Sequence, residues 1–230
     1  MIIQHLAIEN EWAGPEVVEN PKTIILGSFN PFDPNINRNT DYYYGRSTNH
    51  FWKSIARNLN LHEDYFCNNC DRKFEVMNKY QFCFQDIIDS LNIKCENQAV
   101  LLHFINNKIL AGYSDSTIFK SQTMFENEII TIRRNYNSRI LEVLNNGTLN
   151  KIIHTMGNNR INQNLIVKPL ENNLGLDGFS GFFQNIINNC NLNNIEINPI
   201  SFSPSGRAVN AGDVNYRNNL DNWINDNLLI

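Results

Sequence analysis

Thr23-Ile24-Ile25-Leu26-Gly27-Ser28 runs without a break into FNPFDPNINRNTD over 29–41, and this junction decides how the chain is read. The first six residues are apolar, rich in β-branched side chains and closed by Gly27, the pattern of a buried strand. The next thirteen hold Pro31, Pro34 and several Asn, so they fit neither a helix nor a central strand. The chain therefore leaves the sheet in an extended loop, and loops at strand ends carry function.

Outward from this junction, Phe51, Trp52, Ile55, Ala56 and Leu59 recur at helical spacing, with Thr48 or Asn49 able to cap the start. FQDIIDSL over 84–91 predicts a short helix, and 92–120 is ambiguous, since AVLLHF suits a strand or a buried helix. A capping box at Thr123-Met124-Phe125-Glu126 predicts a long helix through Ile129, Ile132, Tyr136, Ile140 and Leu144, ending near Asn146-Gly147. KIIHTMG at 151–157 reads as a strand, and IEINPIS at 195–201 as another, before a turn SPSG and a polar C-terminal helix. Alternating strands and helices argue for an α/β class protein with a parallel sheet, whose sites lie at the C-terminal strand ends. The economical division is an N-terminal arm over 1–22 and one domain over 23–230, with a Cys-containing insertion around 61–81.

Composition narrows the functions. The 230 residues carry 23 acidic against 19 basic groups, a net charge of -4, so no global positive field exists to hold nucleic acid without specificity. No run of about 18 apolar residues is present and the N-terminus lacks a signal-peptide pattern, which predicts a cytoplasmic protein with no membrane association. Five cysteines fit reduced thiols or a metal site better than a disulfide framework. The 42 Asn weaken helices and give any single Asn little weight alone.

In a parallel sheet, the loops after 23–28, 151–157 and 195–201 emerge on one edge. They hold Asn30-Pro31, then Tyr42-Tyr43-Tyr44-Gly45-Arg46-Ser47-Thr48-Asn49, and finally Ser203-Pro204-Ser205-Gly206-Arg207. Rigid turns, aromatic faces, amides and a basic tip suit a flat heterocycle and a backbone. These residues resemble the uracil-DNA glycosylase superfamily. Gly27-Ser28-Phe29-Asn30-Pro31 is similar to the G-x-N-P motif of the mismatch-specific branch, with one extra residue. Tyr43-Tyr44-Gly45-Arg46-Ser47-Thr48-Asn49-His50-Phe51-Trp52 resembles the Y-Y-A-H-P-R-N-x-F-W segment of the hypoxanthine branch, and Ser203–Arg207 looks like the second motif. Tyr113-Ser114-Asp115-Ser116 looks like the S-x-D-S loop between them.

The resemblance spans roughly 23–210 and implies a three-layer αβα sandwich around a central, mainly parallel four-stranded sheet. It also implies a monofunctional DNA glycosylase that flips a deaminated or otherwise modified base and hydrolyses its glycosidic bond. By carry-over, Tyr44 stacks on the flipped base, with Ser28, Phe29 and Ser203 around it. Arg46, Ser205, Gly206 and Arg207 meet the DNA, Arg207 standing where a wedge residue enters the duplex. Asn30 and Asn49 match catalytic amides of two branches and compete for one role, with Asp33 and Asp41 as carboxylate substitutes. A neutral amide orients water or the leaving base but is a poor general base.

The departures are informative. Ser203 stands where the uracil enzymes place His, and Arg46-Ser47 replace a His-Pro, so base specificity does not carry over. The partner implied is DNA containing a modified base, acted on by a monomer, with no cofactor required for catalysis. Cys67-Asn68-Asn69-Cys70 has metal-ligand spacing, and with Cys83, Cys95 or His62 it would make a structural zinc site. A rival reading, a nucleotidyltransferase, needs an H-x-G-H that is missing after GSFNP; a catalytically inactive nucleic-acid-binding module of the same fold is the other alternative.

Overall fold

The computed structural model describes residues 1–5, 17–30, 42–111, 115–156, 179–198, 200–212 and 214–230. Pro31, Asp33, Asp41, Tyr113 and Ser114 lie outside them. Four strands form a wholly parallel sheet: β2 (Thr23–Gly27), β3 (Phe82–Asp86), β7 (Lys151–His154) and β8 (Glu196–Ile197), in the spatial order β3-β2-β7-β8. All five residues of β2 and of β3 are buried; β2 reads as a near-continuous apolar run, whereas β3, FCFQD, ends in two buried polar residues.

β2 connects to β3 on one side while β7 connects to β8 on the other, so the strand order reverses between β2 and β7, the point where open α/β sheets form a crevice at the C-terminal strand ends. The β2-to-β3 crossover carries α1 (Phe51–Asn58) and α2 (Cys70–Tyr80). Beyond β3 come α3 (Gln98–Phe104), extended as a π-helix to Leu110, the short α4 (Asp115–Ile118) and α5 (Arg139–Leu144), and β7 and β8 are joined through α6 (Phe179–Leu192). After β8 follow α7 (Gly206–Ala211) and α8 (Val214–Leu228), the polar C-terminal helix. α8 packs on α1, and α5 on α6. Among the described residues no helix is long and apolar enough to cross a membrane.

A second, antiparallel sheet corrects the expectation of one mainly parallel sheet. Its order is β1-β4-β6-β5, from β1 (Ile2–Gln4), β4 (Ile88–Lys94), β5 (Gln122–Phe125) and β6 (Glu128–Tyr136). The segment 84–91, read as a short helix, instead passes from β3 straight into β4. The amides of Ile87 and Ile88 donate to the carbonyls of Gly27 and Ser28, both at 3.0 Å, so pairing to β2 overrides the local pattern. The helix expected from Thr123 is a hairpin up to Tyr136, and only its last turns survive, as α5. Glu126 and Asn127 take φ of 49° and 63°, the two positive values a tight primed turn demands. Ile130 and Ile132 are buried while Ile129 faces outward, so the true period is two. Ile129, Ile132 and Tyr136 matched helical spacing by coincidence. AVLLHF is helical, in α3. Ile2–Gln4, in the segment read as an arm, is a strand paired with β4.

Candidate functional site

Gly27 ends β2 at the crevice. A Cβ there would collide with the Asp86 carboxylate and lie 2.8 Å from the Tyr44 hydroxyl, so the absent side chain lets both groups meet the strand end. Asp86 is the β3 residue in register with Gly27 and is 5% exposed. Its Oδ2 accepts from His5 Nε2 at 2.8 Å, and His5, 1% exposed, arrives from the end of β1. Tyr44 bridges to the next strand, its hydroxyl hydrogen-bonded to Thr155 Oγ1 at 2.7 Å just past β7.

Of the three consecutive tyrosines, Tyr42 and Tyr43 are core. Tyr42 donates to Met77 Sδ at 3.5 Å, and Tyr43 stacks on Phe84 at 4.9 Å. Burial first, then the Asp86 charge, raises the Tyr43 hydroxyl well above its ordinary pKa, so it stays protonated. Tyr44 is half-buried, stacks on Phe51 at 5.2 Å and sits at φ 56°, a left-handed conformation costing about 1–2 kcal/mol for a side chain of this kind. Ring and hydroxyl contacts hold it there.

The loops of the two motifs interlock. His50 N–H donates to Pro204 O at 2.7 Å, and a Cβ on Gly206 would strike the Thr48 carbonyl. Ser203 Oγ donates to Ser205 Oγ at 3.1 Å, and Ser205 Oγ accepts the Ala208 N–H at 3.2 Å as the cap of α7. Tyr216 clasps Ser203 from behind, accepting its N–H at 3.0 Å. Ser203 and Ser205 thus stiffen the turn that presents Arg207, exposed on the first turn of α7.

A cleft runs between the 44–53 and 63–73 segments, lined by Tyr44, Arg46, Asn49 and Lys53 from the first and Glu63 and Lys73 from the second. Asn49 Oδ1 accepts the Phe51 N–H at 2.9 Å, at the start of α1. Asn30 stands three residues beyond β2, half-buried, and does not line this cleft. Phe29 is buried against the His5 ring at 5.5 Å, and Ser28 holds β4 through its carbonyl. Arg46 is exposed on the rim.

The cleft is braced from behind. Arg57 donates through Nε to Asp221 at 2.7 Å and through a terminal nitrogen to Glu63 at 3.1 Å, and Arg217 pairs with Glu63 as well. Burial alone would raise the Glu63 carboxyl, but the Arg57 hydrogen bond and the Arg217 and Arg57 charges outweigh it and hold the group below its ordinary value. Burial first, then Lys53, Arg217 and Arg57, lower the pKa of His50.

Among the described residues, which include every Cys and His of the chain, no three of His, Cys, Asp or Glu gather to hold a metal. Cys67 is exposed, Cys70 is buried, and Cys83 lies inside β3, where burial pushes its thiol up to about 12. His62, the substitute ligand, has 82% of its side chain exposed and turns to Asp64.

Sequence reading missed His5, Asp86, Thr155 and Lys73. Asp86 was hidden inside a stretch read as helix and His5 inside one read as an arm. Thr155 directly follows a correctly read strand, so its position was available. Lys73, fully buried, with its ammonium 5.7 Å from the centre of the Trp52 ring, sits in no motif.

No family model matches the chain, and no curated protein does. A solution NMR structure from Methanosarcina acetivorans, described as "a putative uracil DNA glycosylase", is similar over 90% of this chain and 91% of that one, at 17% identity and a TM-score of 0.46.

Proposed function

We propose that this chain is a monofunctional DNA glycosylase of the uracil-DNA glycosylase superfamily, built as a three-layer αβα sandwich around the parallel sheet. Its substrate is DNA carrying a deaminated or otherwise modified base. One observation carries the reading: the two motif loops, more than 150 residues apart in sequence, lock together through His50 and Pro204, beside a Tyr44 fixed across the β2–β7 crevice. That arrangement suits an aromatic platform for a flipped base, with a stiff turn presenting Arg207 to the strand.

The two amides divide the chemistry. The Asn49 oxygen is committed to the Phe51 N–H, which leaves its amide nitrogen as a donor to the departing base. Asn30, beyond the strand end, orients the attacking water. Arg46 and Arg207 meet phosphates, Ser205 and Gly206 shape the turn, and Ser28, Phe29 and Ser203 border the base.

The test is alkali-revealed abasic-site formation on single- and double-stranded oligonucleotides carrying uracil, hypoxanthine, xanthine or 5-substituted pyrimidines. Asn49→Asp keeps an oxygen for the helix start but removes the donor, and it should slow base release by ~10²-fold at unchanged stability. Asn30→Ala should do the same. A folded protein silent on the whole panel refutes the reading.

A further inference from the structure

The backbone of His50 locks the two motif loops together, but its side chain has no role in the chemistry above. The ring is half-buried. Its Nδ1 is shut off from solvent with no hydrogen-bond partner among the described residues, while Nε2 is left open. Lys53 and Arg57 on α1 and Arg217 on α8 act on this ring as positive charges, and Glu63 is the carboxylate among them. The 203–206 turn, held by the His50 N–H, brings no charge. Arg57 is committed to Asp221 through Nε at 2.7 Å and to Glu63, which Arg217 shares. Lys53 Nζ donates to the Ser47 carbonyl at 2.7 Å and meets no carboxylate at ion-pair distance among the described residues. Three cations thus face two carboxylates, and the surplus lies at the rim of the cleft that Lys53 and Glu63 line. Burial first, then these charges, lower the pKa of His50, so the ring is neutral at pH 7.

We propose that His50, Lys53 and Arg217 grip one phosphodiester of the DNA strand, and that His50 takes up a proton as the phosphate enters. The grip rests on the reading above, in which DNA is the partner. A phosphate oxygen accepts from the Lys53 ammonium, the Arg217 guanidinium and a protonated imidazole alike. Its negative charge offsets the surplus that keeps the ring neutral, so one proton passes from solvent to the imidazole nitrogen that lacked it. The ring is neutral in the free chain and charged in the complex. Affinity therefore rises as pH falls through the pKa of the complex and levels off below the lower pKa of the free chain. Because the His50 N–H holds Pro204, the residue that grips the phosphate also ties down the turn that presents Arg207.

Fluorescence polarisation with a rhodamine-labelled oligonucleotide of ordinary bases, single- and double-stranded, measures affinity against pH at fixed salt, and base release is scored separately on the lesion panel. The wild type should bind about 10-fold more tightly at pH 6 than at pH 8, the effect of about one linked proton. His50→Gln, checked for folding by circular dichroism, keeps the backbone lock and should lose at least about 3-fold of that gain. Lys53→Gln should lower the slope of log affinity against log salt by about 0.7–1. It should also raise the pKa of His50 in the free chain, read by NMR titration of the ring protons. The wild type needs no folding control: its His50 signal should titrate at higher pH with the oligonucleotide bound. An unmoved titration, affinity that ignores pH, or a pH dependence unchanged in His50→Gln overturns the proposal while leaving any base release to stand. Binding linked to His50 protonation without base release supports the grip and refutes the glycosylase.

Discussion

Replacing Gly27 with Ala tests the construction of the crevice most directly. Gly27 does not have a positive φ, so Ala accepts the backbone, and its lower unfolded-state entropy would by itself stabilise the protein by about 0.4–1 kcal/mol. Against that, the new methyl collides with the Asp86 carboxylate and approaches the Tyr44 hydroxyl to 2.8 Å, in a site where neither group moves freely. Overpacking of this kind costs about 1–3 kcal/mol. If Asp86 swings away it abandons His5, and a buried polar group left without its partner costs about 1–3 kcal/mol more. The net expectation is a loss of about 2–4 kcal/mol, which for a domain of this size lowers Tm by about 4–16 °C. Urea unfolding followed by fluorescence and by circular dichroism measures it, coincident transitions licensing the two-state treatment. Asp86→Ala in the same background makes room for the methyl, so the double variant should be more stable than additivity by at least about 1 kcal/mol. A Gly27→Ala protein within about 0.5 kcal/mol of wild type, or strict additivity in the cycle, would show that the predicted clash relaxes without consequence.

Other expectations follow from neighbouring contacts. Tyr44→Phe keeps the ring and loses the 2.7 Å bond to Thr155, so single-stranded DNA affinity should change little, whereas Tyr44→Ala should weaken it by about 1–3 kcal/mol in a fluorescence titration. Glu63 is held below its ordinary value of 4.5 in the fold, so its contribution to stability is present above about pH 4.5 and is lost as pH falls through the folded value. Glu63→Gln should therefore flatten the acid limb of a stability-against-pH curve, and an unchanged limb would show that the pairing with Arg57 and Arg217 contributes nothing measurable. With their thiols pushed up to about 12, Cys83 and Cys190 should resist alkylation at pH 8 while exposed Cys67 reacts, which peptide mapping after brief iodoacetamide treatment reads out.

How much of this was legible in the sequence varied with the range of the forces involved. TIILG, KIIH and the helix at Phe51–Asn58 were readable because burial on both sides of a strand, or on one face of a helix, writes itself into consecutive residues. Residues 46–49 and 203–206 were legible as turns, and the structure joins the two segments through His50 and Pro204. The hairpin at Gln122–Tyr136 was not: Ile129, Ile132 and Tyr136 fit a period of 3.6 as well as the strand they form, and only pairing with β4 decides between the two. Cys67 and Cys70 have metal-ligand spacing in sequence, but among the described residues no three of His, Cys, Asp or Glu gather in space.

The sequence by itself determined that a buried strand ends at Gly27, that a helix follows at Phe51, and that parallel strands pair with it. Tertiary structure alone decided that Asp86 stands beside Gly27, that His5 from the first strand holds it, and that Tyr44 spans to Thr155. These contacts join residues up to 111 positions apart, and no local pattern encodes a contact whose partners meet only when the parallel register sets Gly27 against Asp86 and Leu26 against His154.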